Sequence, residues 1–429
     1  MIISLFEDDT FENFFPLTYS KPVFELKSGI FSFLERLKKV FPDHSLLLFT
    51  RDYLVPTFKQ HDIRFINNPD AINDDLILVN GTLVVERQIK QLIQKKLDRN
   101  VAMVQDGRVI LAHLSRKVAE KHAETLCKPI TQRQLKRIVK GCKILKTQNT
   151  LSMAYPWDLV SNCAELIRKD FKLIQEKGSE GTIDKQAVLY GDASNLHLGE
   201  GASIEAFAVL DLRSGPIHIG KETIVHAGSR ITGPAYIGHK TIVASGLIRE
   251  GCHIGKVCRV GGELDATILH SCTNKYHTGY VGHSYIGEWV NIGADTTNSD
   301  LKNTYGTVKV TIKEKKIDTR SLKVGCFIGD YAKTSIGTQV YTGKRIGVSS
   351  HAHGFVTEDV PSFTLWAKSL GAKPTELFLQ SAIETQKRIF TRRGAMQTRE
   401  DIELLKKIFK LTSEERRKAR VVKRRFELQ

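Results

Sequence analysis

Two hydrophobic rhythms divide the chain. In residues 1 to about 165, short apolar runs alternate with amphipathic stretches. IISLF, HSLLLFT, LILVNG and VAMVQ are continuous apolar runs and predict buried strands. IFSFLERLKKVF and ERQIKQLIQKKL place apolar residues at i, i+3, i+4 and i+7, the spacing of one helix face. Strands alternating with helices predict an α/β layer around a parallel sheet. LSMAYPWDLVSNCAELIRKDFKLI adds a Pro-punctuated turn and then a linker helix, expected over 166–186.

The second rhythm runs over 187–365. Leu-Gly or Ile-Gly pairs recur at 198–199, 219–220, 237–238 and 254–255, then at 286–287, 328–329, 336–337 and 346–347. The early spacings are 21, 18 and 17 residues. Eighteen residues are three hexapeptides, one triangular coil of a left-handed parallel β-helix. The aliphatic residue faces the interior and the small residue turns the corner. LKNTYGTVKVTIKEKKIDTRSLKVG breaks the period, and the alternation in KVTIKEKKI predicts a hairpin ejected from the coil. From 366 to 429 the pattern is helical, with Thr398 and Thr412 placed as N-caps.

Composition narrows the function classes. A chain of 429 residues, 41% hydrophobic and 26% charged, has room for two or three ordinary cores. No apolar run is long enough to span a membrane, and MIISLFEDDT lacks a signal-peptide pattern. Seven cysteines without a CxxC pair suit a reducing cytoplasm. The net charge of +17 is concentrated at the end: Gly371 to Gln429 hold sixteen Lys and Arg against eight Asp and Glu. No nucleic-acid-binding module accompanies that charge, so phosphorylated small ligands are the expected partners. Ten of fourteen histidines lie between 197 and 353, where exposed coil corners are expected.

One stretch carries candidate acyl-transfer chemistry. Asn274 to Gly306 holds His277-Thr-Gly-Tyr280-Val-Gly and Trp289-Val-Asn291-Ile-Gly-Ala294. An amine attacks only when neutral, and a histidine is suited to take its proton near pH 7. These strings resemble the catalytic coil of the β-helix acetyltransferase half of the bifunctional GlmU enzymes, which make UDP-N-acetylglucosamine. The motifs are strongest from about Gly255 to Phe363. The resemblance implies that His277 is the general base and that Tyr280 and Asn291 contact substrate. It gives Ala294 a backbone N–H for the developing oxyanion. Glu263, fourteen residues before the histidine, takes the place of a sugar-contacting glutamate. Two positions depart from the family. Asp265 stands where a phosphate-binding lysine is expected, with Lys275 as a candidate replacement. Thr357-Glu358-Asp359 replaces a Thr-Arg-Asp whose arginine holds coenzyme A, with Lys333, Lys344 and Arg345 as candidate compensation.

The N-terminal portion resembles the nucleotidyltransferase half, in its GlmU-like branch, more loosely. The Gly-rich phosphate loop is absent: no glycine precedes Gly29. Ser20-Lys21-Pro22-Val23 and Tyr155 to Leu159 match that branch, so Lys21 is implied to neutralise sugar and nucleotide phosphates. Asn80 and Gly81 are implied at the nucleotide, with Thr82 where a metal-binding aspartate is usual. Asp8 and Asp9 are the candidate Mg²⁺ ligands, beside the first strand.

The domains expected are thus a nucleotidyltransferase-like α/β domain (1–165), the linker helix, an acyltransferase-like β-helix and a basic helical extension. The first reading is a two-site enzyme that uses an NTP, with UTP expected, a sugar 1-phosphate and acetyl-CoA. It is expected to form a homotrimer, since β-helix acyltransferases place their sites between prisms. The alternatives are a nucleotidyltransferase with the β-helix as a trimerisation or sugar-binding rod, and a non-catalytic sugar-phosphate-binding regulator. A β-helix carbonic anhydrase is excluded, because no two histidines lie five residues apart.

Overall fold

The structure, a computed structural model, describes residues 1–44, 46–58, 66–95, 97–148, 150–174 and 180–426. The chain divides into two compact units, Met1–Leu26 with Phe31–Tyr155, and Lys27–Ile30 with Pro156–Gln429.

The first unit is built on six strands: β1 (Ile2–Phe6), β2 (Leu46–Phe49), β3 (Leu76–Asn80), β4 (Val101–Gln105), β5 (Arg108–Leu114) and β6 (Lys143–Lys146). Their order is β2-β1-β3-β5-β4-β6. β1 runs parallel to β2 and β3, whereas β5 is antiparallel to both β3 and β4. The sheet is therefore mixed, not parallel as the strand–helix alternation predicts. The cause is local. Asp106 and Gly107 both have positive φ, 48° and 75°, which makes a two-residue turn that must reverse the chain. The expected helices form at Phe33–Val40, opened by a capping box between Ser32 and Glu35, and at Arg87–Lys95.

The second unit contains a left-handed parallel β-helix of about ten turns over residues 182–366. Three parallel sheets form its faces. Seven of the eight Ile-Gly or Leu-Gly pairs lie on a single face, through Leu198, Ile219, Ile237, Ile254, Ile286, Ile328 and Ile346. All seven aliphatic side chains are buried in one continuous core. The eighth pair is out of register: Ile336 is 77% exposed. The predicted ejected hairpin forms from Lys309–Ile312 and Lys315–Asp318.

The boundaries differ from expectation. The expected linker helix ends early: a helix spans Cys163–Phe171, and Thr182–Ile183 already pairs with Ser203–Ile204 of the next coil. Residues 175–179 of that stretch lie outside the described residues. The helices Pro156–Ser161 and Cys163–Phe171 belong with the second unit because they pack on it. Trp157 meets Phe327, and Asp170 and the Leu159 carbonyl accept hydrogen bonds from Ile30 N–H and Ser28 Oγ.

The histidines also depart from expectation. His197, His253 and His270 are buried, and His197, His218, Tyr236 and His253 stack up one face with centroids 4.3, 5.1 and 4.7 Å apart. Burial, with His197 adding to it, pushes the His218 imidazole down to about 3. At the C-terminus, Thr398 caps Arg399–Leu411 through a capping box with Asp401. Thr412 stands at the N-cap position of the helix Ser413–Lys418, as expected, but its hydroxyl donates back to the Ile408 carbonyl of the preceding helix and makes no side-chain cap.

Candidate active site

In the first unit the loop carrying Lys21 is held from the carboxyl ends of the parallel strands. The buried Glu7–Arg51 ion pair (3.2 Å) follows β1 and β2. Arg51 donates to the carbonyls of Thr18 (2.6 Å) and Lys21 (2.8 Å), and Glu7 accepts the Val23 N–H (2.7 Å). The loop then closes on Gly81, where an added Cβ would lie 3.1 Å from Phe24, Val23 and the Phe6 carbonyl. Lys21, Asn80 and Gly81 thus belong to one strand-end region, and the Lys21 side chain is buried.

Asp8 sits in the same region but does not fit a Mg²⁺ ion. Its Oδ1 accepts from Thr10 N–H (2.9 Å) and Thr10 Oγ1, and its Oδ2 from Asn80 Nδ2 (2.7 Å) and Gln132 Nε2. Arg108 stands 3.7 Å away. A cation would have to displace these donors and lie beside a guanidinium. Asp9 accepts the Gln132 N–H (3.1 Å).

In the β-helix, alternation along each short strand decides which residues face out. Strand Asn274–Lys275 pairs in register with Arg259–Val260, so Asn274 follows Arg259 outward and Lys275 follows Val260 inward. Lys275 is fully buried. Its ammonium donates to the carbonyls of Gly261 (3.2 Å), His277 and Thr278 (3.0 Å). Burial lowers its pKa to about 8. The expectation that Lys275 replaces a phosphate-binding lysine is therefore corrected: a side chain inside the prism cannot reach a ligand on its surface. It ties down the loop that carries His277.

His277 is exposed on that loop and opens into a groove of about 510 Å³ shared with Asn291, Ala294, Arg259, Arg392 and Arg393. Among the described residues, neither His277 ring nitrogen is engaged in a hydrogen bond. Asn291 stacks on Asn274, whose Nδ2 donates to Asn291 Oδ1 (3.2 Å). The Ala294 N–H meets no acceptor among the described residues, while its carbonyl accepts from Gly337 (2.8 Å).

Tyr280 and Glu263 lie on the neighbouring face. The Tyr280 ring folds back over Gly282, and its hydroxyl donates to Asp300 (2.8 Å). Burial and that carboxylate raise its pKa. Glu263 accepts from Arg249 (2.5 Å). Arg249, Asp265, His283, Lys323, Arg168 and Trp157 line a cavity of about 750 Å³ on this side. Asp265, His283 and Asp300 bring three metal-type donor atoms within 4.8 Å of one another, the one such group among the described residues. Asp300 already accepts from His283 (2.7 Å) as well as Tyr280.

Of the residues considered as replacements for the missing coenzyme A arginine, Arg345 is clamped on Asp359 (2.8 and 3.0 Å) and Lys333 donates to the Tyr331 carbonyl. Glu358 pairs with Lys368 (2.9 Å). Sequence reasoning missed Arg249, His283, Asp300, Arg259, Arg392 and Arg393. Arg259 was reachable by following the coil register from Asn274, and Arg249 lies two residues beyond Leu247, the register partner of Glu263. Arg392 and Arg393 were hidden in a generally basic tail.

Comparisons with known proteins bear on parts of the chain. Residues 3–179 match the family of sugar nucleotidyl transferases. The chain is 35% identical over 85 residues to a bifunctional sugar-1-phosphate nucleotidylyltransferase/acetyltransferase of Sulfurisphaera tokodaii, covering 20% of this chain and 21% of that one. It is 36% identical over 85 residues to the bifunctional protein GlmU of Methanocaldococcus jannaschii, with the same coverage. The GlmU of Thermotoga petrophila is 28% identical over 120 residues, 28% of this chain and 24% of that one. The chain thus spans about a fifth of the length of the curated relatives it matches. A solved UDP-N-acetylglucosamine acyltransferase of Francisella novicida covers 56% of this chain and 86% of its own, at 16% identity and a TM-score of 0.30, too low to bear on the argument. The chain thus joins a segment that matches the sugar nucleotidyl transferases to a left-handed β-helix. Two of the curated relatives that it matches over short stretches carry the name bifunctional protein GlmU.

Proposed function

We propose that the β-helix transfers an acetyl group from acetyl-CoA to the amine of an amino sugar phosphate in the His277 groove. The N-terminal unit would transfer a nucleotidyl group from an NTP, with UTP expected, to a sugar 1-phosphate. The observation that carries the acyl-transfer reading is the exposed His277, with both ring nitrogens unengaged, sharing one groove with Asn291 and the unengaged Ala294 N–H. His277 takes the amine proton as the nitrogen attacks the thioester carbonyl. The Ala294 N–H stabilises the oxyanion, and the departing thiolate takes a proton as the amide forms. Lys275 positions the His277 loop, and Asn274 orients Asn291.

The nucleotidyl reading is supported by the family match over residues 3–179 and by the strand-end placement of Lys21, Asn80 and Gly81. A homotrimer acting in the cytoplasm fits the family resemblance. No described helix is long and apolar enough to cross a membrane.

The test is thiol release from acetyl-CoA with glucosamine 1-phosphate. Wild type should release thiol, and His277→Ala should lower kcat by about 10²–10⁴-fold, the contribution of a general base. An unchanged rate in the folded variant removes His277 as the base.

A further inference from the structure

We propose that Arg259, Arg392 and Arg393 form an anion cradle that holds a phosphate group of a substrate in the His277 groove, two of the three cations coming from the C-terminal extension. This rests on the acyl-transfer reading for the identity of the ligand, but not for the cradle itself.

The three arginines arrive from separate parts of the chain. Arg259 stands outward on the β-helix in register with Ile242 and Asn274. Arg392 and Arg393 follow the helix Leu379–Thr391, whose end is anchored by Phe390 against Trp289 (centroids 4.5 Å) and Tyr331 (6.2 Å). Arg393 donates to Asn274 Oδ1 (2.7 Å), and Asn274 in turn bonds Asn291, so the cradle is wired to the proposed acyl-transfer groove. Arg259 donates to the backbone carbonyls of Lys240 (3.0 Å) and Cys258 (2.9 Å).

Their partners set these arginines apart. Arg213 and Arg230 pair with Asp211, Arg249 with Glu263, Arg345 with Asp359 and Arg416 with Glu376. Among the described residues, none of Arg259, Arg392 and Arg393 has a carboxylate partner. Burial, then the nearby Arg259 and Arg392, push the Arg393 guanidinium below its usual range. Gathering like charges in a groove is unfavourable until an anion joins them, and guanidinium forks suit phosphate oxygens. Interaction of Arg392 with the helix C-terminus accounts for one cation, but not for Arg259 or for the aim of Arg393 at Asn274. Asp265 lies beside the other cavity and Glu358 is paired with Lys368, so neither carboxylate neutralises this groove. The three arginines without a carboxylate partner give this groove the charge that a phosphate ester needs.

The amino sugar phosphate and the phosphates of coenzyme A share this chemistry. Calorimetric titration of the full chain with glucosamine 1-phosphate and, separately, coenzyme A distinguishes them. Arg392→Gln, Arg393→Gln and the double variant should each weaken binding of one probe at least about tenfold while the melting temperature holds, and Arg393→Lys should retain part of it. Arg392 has no side-chain partner among the described residues, so its variant separates binding from folding. Unchanged affinity for both probes in the folded double variant overturns the proposal, as does a wild type that binds neither. Binding that weakens in a protein without thiol release keeps the cradle and removes the acyl-transfer reading.

Discussion

Lys275 shows how strongly one side chain can be reassigned by its environment. In the sequence it is a basic residue two positions before a histidine; in the fold it occupies an interior rung of the prism. Burial of the ammonium lowers its pKa from 10.5 to about 8. As pH rises above about 8, the native protein gives up this proton while the unfolded chain keeps its own up to about 10.5. The unfolded state then binds more protons, so stability rises with pH across that window, by about 3 kcal/mol when complete. Urea unfolding at pH 7 and pH 10 should show a rise in wild type that is smaller by roughly this increment in Lys275→Met, where the buried Lys333 still contributes its own. Parallel changes in the two proteins would show that Lys275 is not buried as a cation. The alternation that turns Lys275 inward was readable only once the register of strand Asn274–Lys275 was known. His277 and the Asn291–Ala294 stretch lie on successive coils, brought together by the pairing of Asn274 with Asn291.

At the scale of the element, the coil repeats were legible and their physical reason was not. Seven pairs marked the face, but the glycines of those seven do not make the turn by positive φ. That conformation falls two residues later, at Glu222, Lys240, Val257, Trp289 and Tyr331. What excludes a side chain at Gly238 is the next coil: an added Cβ would lie 2.6 Å from the Gly255 carbonyl carbon and the Lys256 nitrogen. Backbone cannot yield as a flexible side chain does, so Gly238→Ala should cost about 1–3 kcal/mol or more. Thermal unfolding followed by circular dichroism should show a drop of several degrees. Gly141→Ala, with open space around it, should leave the transition in place. Equal melting of the Gly238 variant and wild type would mean that the coils are not stacked this closely. The mixed sheet of the first unit was also within reach, since Asp106-Gly107 between apolar runs is a hairpin signal; reading β4 alone without β5 hid it.

Over the whole molecule, the resemblance gathered His277, Tyr280, Asn291 and Glu263 into one constellation. The fold separates it: His277, Asn291 and Ala294 share a groove with three arginines, while Tyr280 and Glu263 turn to the next face beside Asp265, His283 and Asp300. Spacing along a β-helix gives the coil on which a residue sits, whereas the face follows from the register of its neighbours. The C-terminal extension, read as a generic basic tail, docks Phe390 on Trp289 and carries arginines into the groove. The central claim is that this groove acetylates an amino sugar phosphate with His277 as base. It is tested most directly by mass spectrometry of the sugar product after incubating the full chain with acetyl-CoA and glucosamine 1-phosphate. The account predicts an N-acetylated sugar phosphate from wild type and its loss in His277→Ala. Acetylated product undiminished in that variant, or none from folded wild type, would contradict it.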